Sequence, residues 1–214
     1  MSHFAFALKV EPGKFVWLSY EFVMRRIIVS INVTPDGFCS HESSVADEEL
    51  LRFVNALARN CDQILFGRVT YELFESFWPP VLKKQSYGGE MLEFANLIDQ
   101  VEKVVFTRST VERPWNNTRT IHVIDEEHIL ALKNEPGRDI LVLGSPSIVD
   151  ELTSLKLIDE YYIAIQPILA GKGKRLFEKV RLEEDYIMEY IKTIPFSSGA
   201  NLIHYKTTRT AQNG

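Results

Sequence analysis

Three short segments carry residue types suited to holding an anion, each shortly after an apolar run. They are Gly67-Arg68-Val69-Thr70-Tyr71-Glu72, Gly144-Ser145-Pro146-Ser147 and Gly171-Lys172-Gly173-Lys174-Arg175. Each joins glycine freedom to hydroxyl or cationic side chains where a helix or turn begins, the setting in which backbone N–H groups cluster around a phosphate. In the first, the apolar run ends at Phe66, Gly67 permits close backbone approach, Thr70 can cap a helix and Arg68 projects a fork of donors. In the second, Ser145 precedes Pro146 as a helix cap precedes a first helical residue. The third completes neither common phosphate motif. Leu176 stands where a dinucleotide fingerprint needs glycine, and the Gly-Lys-Ser/Thr ending of a P-loop is absent. Alone, Lys172-Gly173-Lys174 also describes a solvated turn. Together the segments point to a polyphosphate cofactor.

Alternating strands and helices must position these segments. Apolar runs at Ile27 to Val33, Gln63 to Phe66, Lys103 to Phe106, Ile121 to Ile124, Ile140 to Leu143 and Tyr161 to Ile165 read as strands covered on both faces. Between them, Asp47 to Asn60 sets Leu50, Phe53, Val54, Leu57 and Ala58 on one helical face, with Asp47, Glu48 and Glu49 in the first turn, where the helix dipole favours acids. Met91 to Asp99 repeats the helical spacing, Asp125 can cap a helix carrying Ile129, Leu130 and Leu132, and Ile148, Val149, Leu152 and Leu155 form a buried face after Pro146. Val81 to Gly89 reads as a mobile loop after Trp78-Pro79-Pro80. After Asp159 the pattern turns to strands, and Asp185 to Ile194 and Asn201 to Thr207 suit a hairpin through Ser197-Ser198-Gly199. The expectation is an α/β fold of three layers, α/β/α, with a mostly parallel mixed sheet and a C-terminal antiparallel hairpin.

Composition narrows the function classes. The 214 residues are 45% hydrophobic and 25% charged, ordinary for one globular domain. A formal charge of −5 argues against a nucleic-acid partner, so any phosphate site must be local. No apolar stretch approaches the ~20 residues that span a bilayer, so no membrane partner is expected. Cys39 and Cys61 form no disulfide framework and fit a reducing, cytoplasmic setting. His3, His41, His122, His128 and His204 lack metal-ligand spacing, and no metal is expected. The chain is read as an extension at residues 1–23, with Met24 a plausible start, a domain at 24–208 and a tail at 209–214.

The order of the motifs resembles a family. Gly67-Arg68-Val69-Thr70 after the second strand is similar to the Gly-Arg-x-Thr segment of the dihydrofolate reductase superfamily. Leu143 to Val149, Leu157-Ile158-Asp159-Glu160 and Gln166 to Phe177 resemble the reductase domain of the bifunctional riboflavin-biosynthesis deaminase/reductase. Ser30 to Phe38 resembles that family's Ser-x-Asp-Gly opening with two extra residues. The resemblance runs from about Arg26 to Lys206, and the ordered set is more specific than any member.

The resemblance implies a dihydrofolate reductase-like fold that binds NADPH and passes hydride to a small planar pyrimidine- or pterin-like compound, as a homodimer. It implies that Gly67, Arg68 and Thr70, with Thr107, Arg108 and Ser109, hold the 2′-phosphate or pyrophosphate. Bidentate arginine contacts to a phosphate would favour NADPH over NADH. Gly144, Ser145, Pro146 and Ser147 would meet the pyrophosphate at a helix N-terminus. Val33, Gly37 and Phe38 would line the nicotinamide side, and Asp36, Phe38 and Trp78 are the candidate substrate contacts. Asp47 and Glu48 are the candidate proton donors. One departure concerns substrate: the riboflavin enzymes carry glutamate before the glycine of the third motif, and here Leu143 stands there. A non-catalytic NADP(H)- or nucleotide-binding module is the alternative, and a flavin- or phosphosugar-binding protein a third reading.

Overall fold

The computed structural model describes residues 3–11, 14–21, 24–45, 47–84, 87–111 and 114–208. Strands β1 (His3–Glu11) and β2 (Lys14–Glu21) pair antiparallel as a separate two-stranded ribbon. From β3 (Ile27–Val33) onward the chain alternates: α1 (Glu48–Arg59), β4 (Cys61–Gly67), α2 (Arg68–Lys84), α3 (Gly89–Gln100), β5 (Glu102–Phe106), β6 (Thr118–Ile121), α4 (Glu126–Asn134), β7 (Asp139–Leu143), α5 (Pro146–Ser154) and β8 (Glu160–Ile165). The hairpin β9 (Met188–Pro195) and β10 (Asn201–Thr207) ends the fold, and residues 209–214 lie outside the described residues.

Eight strands form one sheet in the order β6-β5-β4-β7-β3-β8-β10-β9. The first six are parallel; β10 runs antiparallel to β8, and β9 antiparallel to β10. The three-layer mixed architecture expected from the alternation is therefore present. Strand periodicity explains the layering, because successive side chains point to opposite faces. Ile27, Val29 and Ile31 join Leu65, Ile140 and Val142 in a core with Ile129 and Leu132 of α4 and Val149 and Leu152 of α5. Ile28, Ile64, Phe66, Leu141 and Leu143 form the opposite core with Ala58 of α1, Tyr71 of α2, and Phe94 and Ile98 of α3.

Two elements differ from the sequence reading. Helix α2 continues through Pro79 and Pro80 to Lys84, where a loop was expected from Val81. Each proline removes an intrahelical donor, but Val81 is buried and Trp78 meets the Phe94 ring edge-on at 4.6 Å, so packing on α3 holds the last turn. The edge strand β6 lies at Thr118–Ile121, not at Ile121 to Ile124. An edge strand needs no continuous apolar run; Val123 is exposed, and the His122 ring bonds the Thr107 carbonyl at 2.8 Å.

Candidate functional site

At the carboxyl ends of β3 and β7 lies a cavity of about 730 Å³, bounded on its helical side by α1, α2 and α3. Ligand sites of open α/β sheets form at these strand ends. Its floor comes from a change in one strand face. On the α1–α3 side β3 presents Ile28 to the core, then Ser30 and Asn32. The polar pair ends the apolar face and opens space. Asn32 donates to Ser44 Oγ at 3.2 Å and accepts from Gln166 Nε2 at 3.3 Å, and the fully buried Gln166 accepts from Val45 N–H at 3.1 Å. This amide network ties the segment leading into α1 to the sheet.

The opposite wall is the start of α5. Gly144 has φ +58, and a Cβ there would lie 3.6 Å from Thr70 Cγ2, so the backbone passes close to α2. Ser145 is also left-handed, with φ 51 and ψ 64, and is buried. Its side chain makes no capping bond to α5, contrary to the helix-cap reading. Instead Ser145 Oγ accepts the Gly67 N–H at 3.0 Å, locking the end of β4 to the start of α5. A Cβ on Gly67 would come within 3.2 Å of Ser147 Oγ, so the two segments are closely packed there. Thr70 lies inside the first turn of α2, which begins at Arg68, and lines the cavity rather than capping the helix. Pro146 and Lys174 line the same end.

Other expected contacts are placed elsewhere. Arg68 is exposed and pairs with Glu72 at 2.8 Å. Thr107, Arg108 and Ser109 follow β5, whose Phe106 is in register with Gly67, so they share the carboxyl edge with Arg68 outside the cavity lining. Thr107 Oγ1 accepts the Ser109 N–H at 3.1 Å. Val33 is in the core on the far face of β3, because its parity follows Ile31 rather than Asn32. Gly37 and Asp36 form a turn that holds the segment at 170–175. Asp36 accepts from Thr34 Oγ1 at 2.5 Å and Gly171 N–H at 2.8 Å, bonds that hold its carboxyl below the usual range. Phe38 is buried beneath the Arg175 guanidinium, 4.4 Å from the ring centre, and Arg175 also donates to the Asp36 carbonyl. Asp36 and Phe38 lie outside the cavity lining, and Trp78 lies in it.

The two candidate acids separate. Asp47 is the N-cap of α1, accepting from Glu49 N–H at 2.8 Å and Leu50 N–H at 3.0 Å, with a further bond from Ser198. Burial pushes its carboxyl up, but these bonds outweigh burial and hold it below the usual range. These bonds commit the carboxylate to the start of α1 and to Ser198. Glu48 lines the cavity, is exposed, and makes no hydrogen bond or ion pair with the described residues. Glu90, which also lines it, is held low by bonds from Arg52 and Asn55. Cys39 also lines the cavity; burial pushes its thiol up to about 11.

Residues 25–200 match the RibD C-terminal domain model. The chain belongs to the RibD C-terminal domain family. It is 30% identical over 187 residues to an uncharacterized Bacillus subtilis (strain 168) protein, YyaP, covering 85% of this chain and 94% of that one. A putative riboflavin biosynthesis protein from a Shewanella species superposes with a TM-score of 0.65 at 20% identity, covering 87% of this chain and 100% of the other. The Thermotoga maritima diaminohydroxyphosphoribosylaminopyrimidine deaminase/5-amino-6-(5-phosphoribosylamino)uracil reductase gives 0.61 at 16% identity, covering 86% of this chain and 57% of its own. An Enterococcus faecalis dihydrofolate reductase complexed with NADP(H) gives 0.55 at 14%, covering 86% and 96%. These structures establish a dihydrofolate reductase-like fold. No helix among the described residues is long and apolar enough to cross a membrane.

The sequence reading did not single out Ser30 and Asn32 as cavity residues, nor Leu51, Leu73, Phe74, Met91 and Phe94. For the first pair a signal existed: two polar residues of one parity inside an otherwise apolar strand.

Proposed function

We propose that this protein is an NADPH-dependent reductase that transfers hydride to a small planar ring of pyrimidine or pterin kind. One observation carries the reading: a single cavity joins the left-handed Gly144-Ser145 entry to α5 with an apolar chamber between α1, α2 and α3. The donor set fits the cofactor. Gly144 leaves the backbone open to close approach, the first-turn N–H of Ser147 has no intrahelical acceptor, and Thr70 and Lys174 add a hydroxyl and a cation. At the neighbouring strand ends Arg68 and Arg108 supply the charge that a 2′-phosphate requires, and Thr107 and Ser109 add hydroxyls.

When bound, NADPH supplies a hydride, and one proton completes the two-electron reduction of the acceptor, leaving NADP⁺. The chain's share is orientation and exclusion of water. Ser30 and Asn32 offer polar groups on the floor, the apolar helices dry the far end, and Glu48 at the rim passes a proton from solvent. The reading includes a cytoplasmic homodimer; the exposed Ile187, with Tyr190 and Ile191 on the edge strand β9, supports such an assembly.

The test is oxidation of NADPH followed by its absorbance, with pterins and aminopyrimidines as acceptors. Turnover that falls in Glu48→Gln and persists in Asp47→Asn is expected. NADPH that binds but is oxidised by no acceptor would favour a non-catalytic nucleotide-binding module.

A further inference from the structure

The cavity divides by chemistry. Beside α5, Gly144, Ser145, Thr70 and Lys174 gather hydrogen-bond donors and a positive charge. Between the helices the wall is Leu51 and Val54 of α1, Leu73 and Phe74 of α2, and Met91 and Phe94 of α3. Trp78 closes it, braced edge-on against Phe94. The charged groups that reach this chamber are acids. Glu48 stands at the rim, and Glu90 is held by Arg52 and Asn55.

Among the described lining residues Lys174 is the sole lysine or arginine. Its carbonyl accepts the Cys39 N–H at 2.9 Å, so it stands beside the loop after β3 rather than between the helices, with Asp150 of α5 the nearby acid. The neighbouring Arg175 lies over Phe38 and bonds the Asp36 carbonyl, and Arg68 lies outside the cavity lining. A ligand phosphate placed between α1, α2 and α3 would lose its water, gain no cation and face Glu48.

We propose that the acceptor chamber selects a neutral, unphosphorylated ring compound with apolar substituents, and rejects phosphoribosyl pyrimidines. The proposal rests on the reductase reading, in which the cofactor phosphates occupy Lys174 and the α5 end. It separates this chain from its Thermotoga maritima relative, whose named substrate bears a phosphoribosyl group. Leu143 agrees, since the chain has an apolar side chain lining the cavity before Gly144. Aromatic walls of this kind hold planar rings by stacking and area burial, and discriminate against charge through the unpaired group they would create.

The experiment compares phenylpterin with uridine monophosphate by quenching of tryptophan fluorescence, with and without NADPH. NADPH binding is scored separately by thermal shift. Phenylpterin is expected to bind at least about tenfold more tightly than the nucleotide. Met91→Lys, at a half-buried wall position, is expected to reverse the order, and Met91→Gln to weaken phenylpterin without recruiting the nucleotide. Uridine monophosphate bound as tightly as phenylpterin, beside an intact NADPH shift, would overturn the selectivity alone. Preference for phenylpterin with no NADPH shift would uphold the chamber's selectivity and overturn the reductase reading instead.

Discussion

Ser145 sits where the fold and the site meet, and replacing it has a calculable result. Its hydroxyl accepts the Gly67 N–H at 3.0 Å in a buried junction, and its backbone is left-handed. Ser145→Ala removes the acceptor and leaves the Gly67 N–H buried without a partner, at a cost of about 1 to 3 kcal/mol. Alanine also inherits the left-handed backbone, which disfavours it as it does serine. For a domain of this size each kcal/mol lowers the melting point by about 2 to 4 °C, so a fall of roughly 2 to 12 °C is expected. Ser145→Gly loses the same bond but relieves about 1 to 2 kcal/mol of left-handed strain, of which the greater freedom of the unfolded glycine takes back about 0.4 to 1. The glycine variant is therefore the more stable of the two. Thermal unfolding by circular dichroism measures the difference directly. An alanine variant as stable as the native protein, or a glycine variant less stable than alanine, would refute the assigned role of the Ser145–Gly67 bond.

Two carboxylates give opposite pH signatures. Asp47 is held below its ordinary range, so its stabilisation is present above about pH 4 and is lost as pH falls through the folded value. Asp47→Ala should lower stability by about 1 kcal/mol near neutrality, with the gap from native closing in acid; an unchanged gap across thermal melts in that range would contradict the cap assignment. Burial pushes Asp150 up, against the Lys174 charge. Its contribution is therefore largest below about pH 4 and declines as pH rises through the folded value. Asp150→Asn should gain on the native protein as pH is raised from 4 to 7, and melting points that move in parallel would count against it.

Much of the layering was legible because strand parity and helix spacing are local signals. Asp47 with the acids behind it marked α1, and the parallel strands showed as continuous apolar runs. The course of α2 through Pro79-Pro80 was hidden, since tertiary packing of Trp78 on Phe94 overrides the local preference. Gly144, Thr70 and Trp78, singled out by type and position, all line the cavity. The contacts of Phe38 and Asp36 were not legible because their partners, Arg175 and Gly171, lie over a hundred residues away in sequence. The cap role of Ser145 failed for the same reason: its hydroxyl answers a donor on another strand. The apolar chamber was invisible because Leu51, Leu73 and Phe74 look like ordinary core residues until three helices leave a space between them.

The most direct test of the central claim is thermal unfolding with NADPH, NADH or neither, in the native protein and in Arg68→Ala and Arg108→Ala. At one hundred times the dissociation constant a ligand adds about 2.7 kcal/mol, which raises the melting point by roughly 5 to 10 °C. The account predicts a shift with NADPH well above that with NADH, reduced in both arginine variants. Equal shifts with the two nucleotides, or none with either, would contradict it.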